Sequence, residues 1–286
     1  MLTDGQISRL FGCGLIPVIK LSDPGDSGWL CDALLAGGVD VAEITFRTDA
    51  AAAAIDYVSK NKPGIFVGAG TVTGVETVKA AVGAGAKFVV CPGFNDKVAE
   101  YCVTNGIPVI PGVSSPSDIE RALGFGLTVL KFFPAEACGG LAALKAISAV
   151  YPNVRFIPTG GIDESNIGEY LAFDRVLACG GSWIVNEGAI RAKSAEEVTR
   201  LTRRAVKALH GFRFVRMSVP PGNGVPAIMD DIFNSESASG GEVVLRVNSV
   251  PRAASLLARE GYDLEADAPV LVLKNGLRIR IIGTGG

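Results

Sequence analysis

Short β-rich runs, each closed off by glycine or proline, alternate with amphipathic stretches from about residue 15 to about residue 210, and this alternation limits the possible folds more than any other feature. The runs are GLIPVIKL (14–21), VDVAEITF (39–46), GIFVGAGTV (64–72), KFVVCPGF (87–94), IPVIPGVS (107–114), TVLKFFP (128–134), VRFIPTG (154–160) and RVLACGGSW (175–183). Helical periodicity fills the gaps, as in DSGWLCDALLAGG, ETVKAAVGAG, NDKVAEYCVTNG, SDIERALGFG and GLAALKAISAVYP. Strands this apolar are buried on both faces, as in parallel sheets covered by helices. Eight β–α units in about 200 residues predict an α/β fold, a closed (β/α)8 TIM barrel over residues 1–211. A doubly wound open sheet is the competing topology. It calls for a switch point and usually a G-x-G-x-x-G that opens a helix after the first strand, and GCGLIP opens none.

After His210 the texture changes. SVPPGNGVPAIMDD and NSESASGGE read as irregular, polar stretches, followed by a strand EVVLRVN, a helix SVPRAASLLAREG, and strands APVLVLK and LRIRIIG joined at Asn275-Gly276, a hairpin signal. Residues 212–286 are therefore expected to form a small α+β C-terminal domain.

The inventory excludes several chemistries. With 27 Lys+Arg against 29 Asp+Glu the net charge is -2, which gives no overall electrostatic footprint for nucleic acid or an anionic membrane, so the expected partner is a small molecule or protein. A single histidine, His210, makes multi-histidine metal sites and Ser-His-Asp triads hard to assemble. Cys13, Cys31, Cys91, Cys102, Cys138 and Cys179 show no C-x-x-C spacing and are expected to be reduced and mostly buried. MLTDGQISRL has no basic-then-apolar leader pattern, and no run reaches the roughly 18 apolar residues of a membrane span, so a cytoplasmic protein is expected.

In such a barrel the reactive groups sit near the C-terminal ends of the strands. Lys131 stands inside TVLKFFP with Phe132, Phe133 and Pro134 around it; desolvation disfavours the ammonium over the amine, making this lysine a candidate nucleophile toward a carbonyl. The bland alternative is a strand lysine snorkelling to solvent. Glu43, in VAEITFR, is a candidate proton shuttle or an internal salt-bridge partner. Arg47 lies four residues on, where a guanidinium fork could reach a substrate carboxylate, and Thr71 at the end of GAGT could add a hydroxyl; either could equally be a loop residue with a local role. Thr159-Gly160-Gly161 follows the seventh strand and Gly180-Gly181-Ser182 the eighth, the positions where barrels often bind phosphate through backbone N–H groups that no Cβ obstructs.

These motifs, GGVDVAEITFRT, VGAGTV, IPVIPGVSSP, LKFFPAEACGG, RFIPTGGI and CGGSW, closely resemble the 2-keto-3-deoxy-6-phosphogluconate (KDPG) aldolase family over the first 210 or so residues. That family comprises Schiff-base pyruvate aldolases that often also accept 4-hydroxy-2-oxoglutarate (KHG). The resemblance implies a homotrimer of barrels without a cofactor or metal, Lys131 as the Schiff-base residue, and Glu43 as general acid/base. It implies Arg47 and Thr71 at the carboxylate, Pro92, Phe133 and Thr159 lining the pocket, and Gly160, Gly161, Gly180, Gly181 and Ser182 at the phosphate. Thr159 matches the phosphogluconate-type enzymes, where galactonate-type relatives tend to carry an apolar residue. Cys138 departs from the family, which often has Asn or Ala before the Gly-Gly, and affects only loop packing. Residues 212–286 are similar to half of a vicinal-oxygen-chelate module; such modules bind metal through His and Glu, and this stretch has no histidine after His210, so a degenerate half-module used for assembly or lid-like packing is expected. The alternatives to a Schiff-base aldolase are a metal-dependent aldolase, a phosphosugar isomerase or epimerase, and a non-catalytic phosphate-ligand binding protein.

Overall fold

The structure, a computed structural model, describes residues 1–211, 213–218, 242–259, 270–272 and 278–283. The chain divides into two compact units, Met1–Leu209 and His210–Gly286.

The first unit alternates strand and helix. Helix α1 (Asp4–Cys13) starts at a capping box of Thr3 and Gln6 and stops at Gly14, whose φ of 70° is the left-handed conformation glycine adopts without penalty. Then follow β1 (Leu15–Ile19), α2 (Ser27–Ala36), β2 (Val41–Thr45), α3 (Ala51–Asn61), β3 (Phe66–Gly70), α4 (Val75–Gly83), β4 (Val89–Val90) and α5 (Asp96–Thr104). The second half runs β5 (Val109–Ile110), β6 (Gly112–Val113), α6 (Pro116–Gly124), β7 (Val129–Phe132), α7 (Gly140–Ser148), β8 (Arg155–Pro158), α8 (Ile167–Ala172), β9 (Cys179–Gly181), α9 (Glu187–Arg191) and α10 (Ala195–His210).

Every ladder in this unit is parallel, in the order β5-β4-β3-β2-β1-β9 and β6-β7-β8. The order is sequential, with no reversal at a switch point, which disfavours the doubly wound sheet. The fifth run, read from the sequence as one strand, is split into β5 and β6 at Pro111, which has no N–H to donate to a ladder, although its carbonyl still accepts from the Lys131 N–H at 2.8 Å. Isolated bridges link Phe156 to Val176 and Thr159 to Gly180.

Most β2 and β3 side chains are buried on both faces, as the unbroken apolar runs require. Helix α10 buries Val198, Thr202, Ala205 and Leu209, a stripe at helical spacing. Thr199 Oγ1 and Arg203 Nε donate to the C-terminal carbonyls of α2, Ala33 (3.2 Å) and Ala36 (3.3 Å), and a Cβ at Gly37 would lie 2.4 Å from Thr202. Helix α10 thus packs on α2. No helix of the described residues is long and apolar enough to cross a membrane.

The second unit holds β10 (Arg213–Ser218), β11 (Glu242–Val247), helix α11 (Val250–Arg259), β12 (Val270–Val272) and β13 (Arg278–Gly283), in the sheet order β10-β11-β13-β12. Val247, Ala253 and Ile281 form its small core. Strand β10 has no counterpart in the sequence reading, although FRFVRM carries the aromatic and β-branched content of a strand. The stretches SVPPGNGVPAIMDD and NSESASGGE, apart from their end residues Ser218 and Glu242, and the Asn275-Gly276 hairpin lie outside the described residues.

Gly68 shows how tightly the interior is filled: a Cβ there would sit 2.3 Å from the ring of fully buried Phe88. Gly68→Ala is expected to destabilise the protein by about 1–3 kcal/mol, seen as a lower urea midpoint, and Phe88→Leu in the same chain should recover part of the loss. Additive effects of the two substitutions would refute this packing.

Candidate active site

Lys131 lies on β7 between Gly112 of β6 and Ile157 of β8, and Glu43 lies on β2 between Val18 of β1 and Gly68 of β3. The two strands are not neighbours, and 88 residues separate the side chains in sequence, yet Lys131 Nζ donates to Glu43 Oε1 at 3.3 Å. Both residues are almost fully buried, at 6% and 3% exposure. The Phe133 ring stands 5.2 Å from Nζ. The snorkelling alternative for Lys131 is therefore excluded, while the salt bridge with Glu43 is present.

Room for the Glu43 carboxylate comes from a residue that sequence reasoning missed. A Cβ at Gly70 would fall 2.2 Å from Glu43 Oε1 and 2.7 Å from its Cγ. The last glycine of VGAGTV is thus the floor on which the acid rests, and the available signal was its position two residues beyond Gly68 on the neighbouring strand's inward parity. Thr45 was also missed. Fully buried beside Glu43, it donates to the Ile19 carbonyl (2.8 Å) and accepts from Arg47 Nε (3.1 Å), fixing the root of an otherwise exposed guanidinium. Thr48 donates to the Leu21 carbonyl and ties the same loop to the end of β1.

Thr71 directly follows β3 with φ of 57°, a left-handed conformation that costs a β-branched residue energy. Such strain persists where the surrounding structure demands it, and Thr71 directly follows Gly70, the residue beneath the Glu43 carboxylate. Pro92 follows buried Cys91 at the end of β4, and Gly112 lets its backbone approach: a Cβ there would lie 2.4 Å from the Pro92 carbonyl. Cys91 feels the charges of Lys131 and Glu43, and burial, the largest influence, pushes its thiol up to about 12. All six cysteines are free.

The two glycine pairs differ from one another. Gly160 and Gly161 have φ of 98° and 79°, and form a loop after β8. The Thr159 and Gly160 carbonyls accept from Ala135 (2.8 Å) and Glu136 (3.0 Å), while the Gly161 carbonyl accepts from Asn166 Nδ2 (3.0 Å). In a trans peptide the next N–H points opposite to the carbonyl, so the N–H groups of Gly160 and Gly161 face away from the loop after β7. Gly180 and Gly181, expected just after a strand, are instead inside β9, and only Ser182 follows it, exposed. Their lack of side chains serves packing: a Cβ at Gly180 would lie 2.3 Å from Thr159 Oγ1, and one at Gly181 1.9 Å from the Trp183 ring. Thr159 is itself buried at 6%.

A buried amine against a buried carboxylate, inside a parallel strand set, has the parts for carbonyl chemistry with a proton shuttle. The family model for KDPG and KHG aldolase matches residues 7–201. The chain belongs to this family.

Among similar proteins, the 2-dehydro-3-deoxy-phosphogluconate aldolase of Treponema pallidum (strain Nichols) is 47% identical over 193 residues, covering 68% of this chain and 92% of that protein. The KHG/KDPG aldolase of Escherichia coli (strain K12) is 41% identical over 193 residues, 68% of this chain and 91% of its own length. In structure, the chain is similar to the KDPG aldolase of Legionella pneumophila, solved with pyruvate captured at low pH as a covalent carbinolamine intermediate, with a TM-score of 0.68 and 41% identity over 70% of this chain and 98% of that one.

Two substitutions test the geometry. Gly70→Ala is expected to push the Glu43 carboxylate aside and lower kcat by at least about tenfold in a coupled turnover assay, with a smaller change in KM; unaltered kcat would contradict the role of Gly70. Thr71→Gly should relieve the left-handed strain, raising stability by up to about 1 kcal/mol in thermal unfolding while KM rises. A stability loss would show that the φ at Thr71 is not strained.

Proposed function

We propose that the chain is a class I aldolase that cleaves KDPG to pyruvate and glyceraldehyde 3-phosphate, and also 4-hydroxy-2-oxoglutarate to pyruvate and glyoxylate. The observation that carries the proposal is the 3.3 Å contact between buried Lys131 and buried Glu43. Relatives named for the phosphogluconate substrate at 40–47% identity, against 27% for a KDPGal structure, favour the gluconate epimer, as does Thr159.

In this reading the Lys131 amine attacks the C2 carbonyl of the substrate, forming a carbinolamine that loses water to give an iminium. The iminium accepts the electron pair of the breaking C3–C4 bond. Glu43, directly or through a water, takes the C4 hydroxyl proton, so that glyceraldehyde 3-phosphate leaves as the aldehyde, and then returns the proton to C3 of the enamine. Water adds to the iminium and releases pyruvate with the free amine. Arg47, held by Thr45, and the Thr71 hydroxyl bind the C1 carboxylate, while Pro92, Phe133 and Thr159 shape the pocket around the chain. The Gly160 and Gly161 N–H groups, with Ser182 and the backbone of Gly180 and Gly181, hold the phosphate. Contacts so far from the reacting bond fix its position and thereby raise kcat. No step in this scheme calls for a metal or cofactor.

The same proposal includes a closed eight-stranded (β/α)8 barrel over residues 1–211. Contact between β2 and β7 side chains across the interior, the bridges from β8 to the β9 region, and the packing of α10 on α2 all favour closure. Residues 212–286 make up the α+β appendage, read as a degenerate vicinal-oxygen-chelate half-module. The family likeness supports a homotrimer, and a cytoplasmic location remains the expectation from the sequence.

Incubation with pyruvate and borohydride, followed by peptide mass spectrometry, is expected to find a reduced adduct on Lys131 that Lys131→Ala abolishes, and cleavage should persist in EDTA. An adduct elsewhere, or none, would overturn the Schiff-base assignment; loss of cleavage in EDTA would point to a metal route.

A further inference from the structure

Tyr170, on α8, is almost fully buried at 1% exposure, and a buried phenol hydroxyl needs a hydrogen-bond partner. Its hydroxyl donates to Glu136 Oε1. Glu136 lies in the loop after β7, the strand that carries Lys131, and is exposed, a setting in which a glutamate side chain ordinarily keeps its rotamer freedom. Here it is pinned instead. Burial above all, then the bond to Glu136 and its charge, raise the Tyr170 phenol above its ordinary value, so the hydroxyl stays protonated and remains a donor.

The pinned side chain covers the loop after β8. A Cβ at Gly161 would fall 2.5 Å from Glu136 Cγ and 2.6 Å from its Cβ, so the aliphatic part of Glu136 lies against that glycine. The Glu136 N–H donates to the Gly160 carbonyl at 3.0 Å, and the same residue thus holds the loop by backbone and by side chain. From the α8 end, Asn166 donates through Nδ2 to the Gly161 carbonyl at 3.0 Å and accepts from the Asp163 N–H at 3.0 Å. A Cβ at Gly140 would lie 3.2 Å from Glu136 Oε1 and 3.4 Å from the Tyr170 hydroxyl, so the start of α7 also leaves space for the pair. These hydrogen bonds take the carbonyls of Gly160 and Gly161, and among the described residues neither glycine N–H donates to a protein group.

We propose that Glu136 and Tyr170 are positioning residues for the phosphate-binding loop, acting through Gly160 and Gly161 rather than on the substrate. The proposal rests on the assignment of those two N–H groups to the phosphate of KDPG. Glycine loses more conformational freedom on ordering than any other residue, and a contact that orders the loop beforehand removes that loss from the binding step. The pair also governs charge. A carboxylate free to swing beside this loop would repel a phosphate, whereas Tyr170 fixes it to α8.

The test compares KDPG cleavage with the borohydride trapping of pyruvate on Lys131, which involves no phosphate. Tyr170→Phe removes one oxygen without emptying the core, and Glu136→Gln keeps an acceptor for the tyrosine. Tyr170→Phe and Glu136→Ala are each expected to lower kcat/KM for KDPG by about threefold to tenfold, the range set by one lost hydrogen bond, while Glu136→Gln stays close to wild type. The rate of pyruvate trapping should change by less than about twofold in all three. Glu136→Ala combined with Tyr170→Phe should be no worse than either alone, since both remove one contact. Gly161→Ala, strained at φ of 79° and crowded by Glu136, perturbs the loop itself and should lower kcat/KM for KDPG as well. Unaltered kcat/KM in Tyr170→Phe, a trapping rate that falls in step with it, or additive losses in the double variant would each overturn the role of the pair. Unaltered kcat/KM in Gly161→Ala, or a wild type that traps pyruvate without cleaving KDPG, would instead overturn the phosphate assignment, and the proposal with it.

Discussion

Two opposite charges buried against each other inside a parallel sheet impose the main constraint on this structure. An isolated ammonium or carboxylate at that depth is costly by several kcal/mol in order of magnitude, and only close pairing makes the burial tolerable. Lys131 and Glu43 come from strands that are not neighbours, so the sheet must bring β2 and β7 face to face at side-chain distance. This dictates which residues around them can carry side chains. Gly70 cannot, because the Glu43 carboxylate occupies the space; Thr45 can, because its hydroxyl finds the Ile19 carbonyl and in turn accepts from Arg47.

The glycines divide by physical task. Gly68, Gly70 and Gly180 are interior positions where the neighbour's side chain, Phe88, Glu43 or Thr159, fills the volume of the missing Cβ. Gly160 and Gly161 are chosen for backbone shape, since their φ values lie where other residues rarely go. In sequence the two kinds look the same. That is why Gly180-Gly181, grouped with Gly160-Gly161 by adjacency and by an expected place after a strand, proved to be a strand segment built for close packing, and why the glycine beneath the Glu43 carboxylate went unrecognised. Distinguishing them needs register, which depends on partners far along the chain.

Much else was legible. Unbroken apolar runs between glycine and proline mark the strands, because burial on both faces leaves no room for alternation, and a lysine or glutamate inside such a run stands out as energetically expensive. Proline within a run is harder to read: Pro111 divides the fifth strand into β5 and β6, an effect visible only once the N–H it lacks is seen to belong to a ladder. Thr71 carries no local mark of its left-handed backbone, since threonine is among the residues least expected there. Strand β10 was lost for another reason. FRFVRM mixes arginine with apolar residues much as LRIRIIG does, but it runs straight into the proline- and glycine-rich SVPPGNGVPAIMDD, whose irregular texture masks it.

A difference between the strands of the two units also explains why net charge is a poor guide to this chain. A value of -2 sums over every residue, but a strand sends alternate side chains to opposite faces, so charges that cancel in the total can be sorted onto one surface by the pleat alone. In the first unit the strands are apolar on both faces and sorting has little to act on; the few charges left inside must pair, as Lys131 and Glu43 do. In the second unit Arg278 and Arg280 occupy every other position of β13, with the acids other than Glu242 placed before residue 237 or after residue 259. Electrostatic exclusion argued from composition therefore holds for the whole surface, while the potential over any one face follows from register.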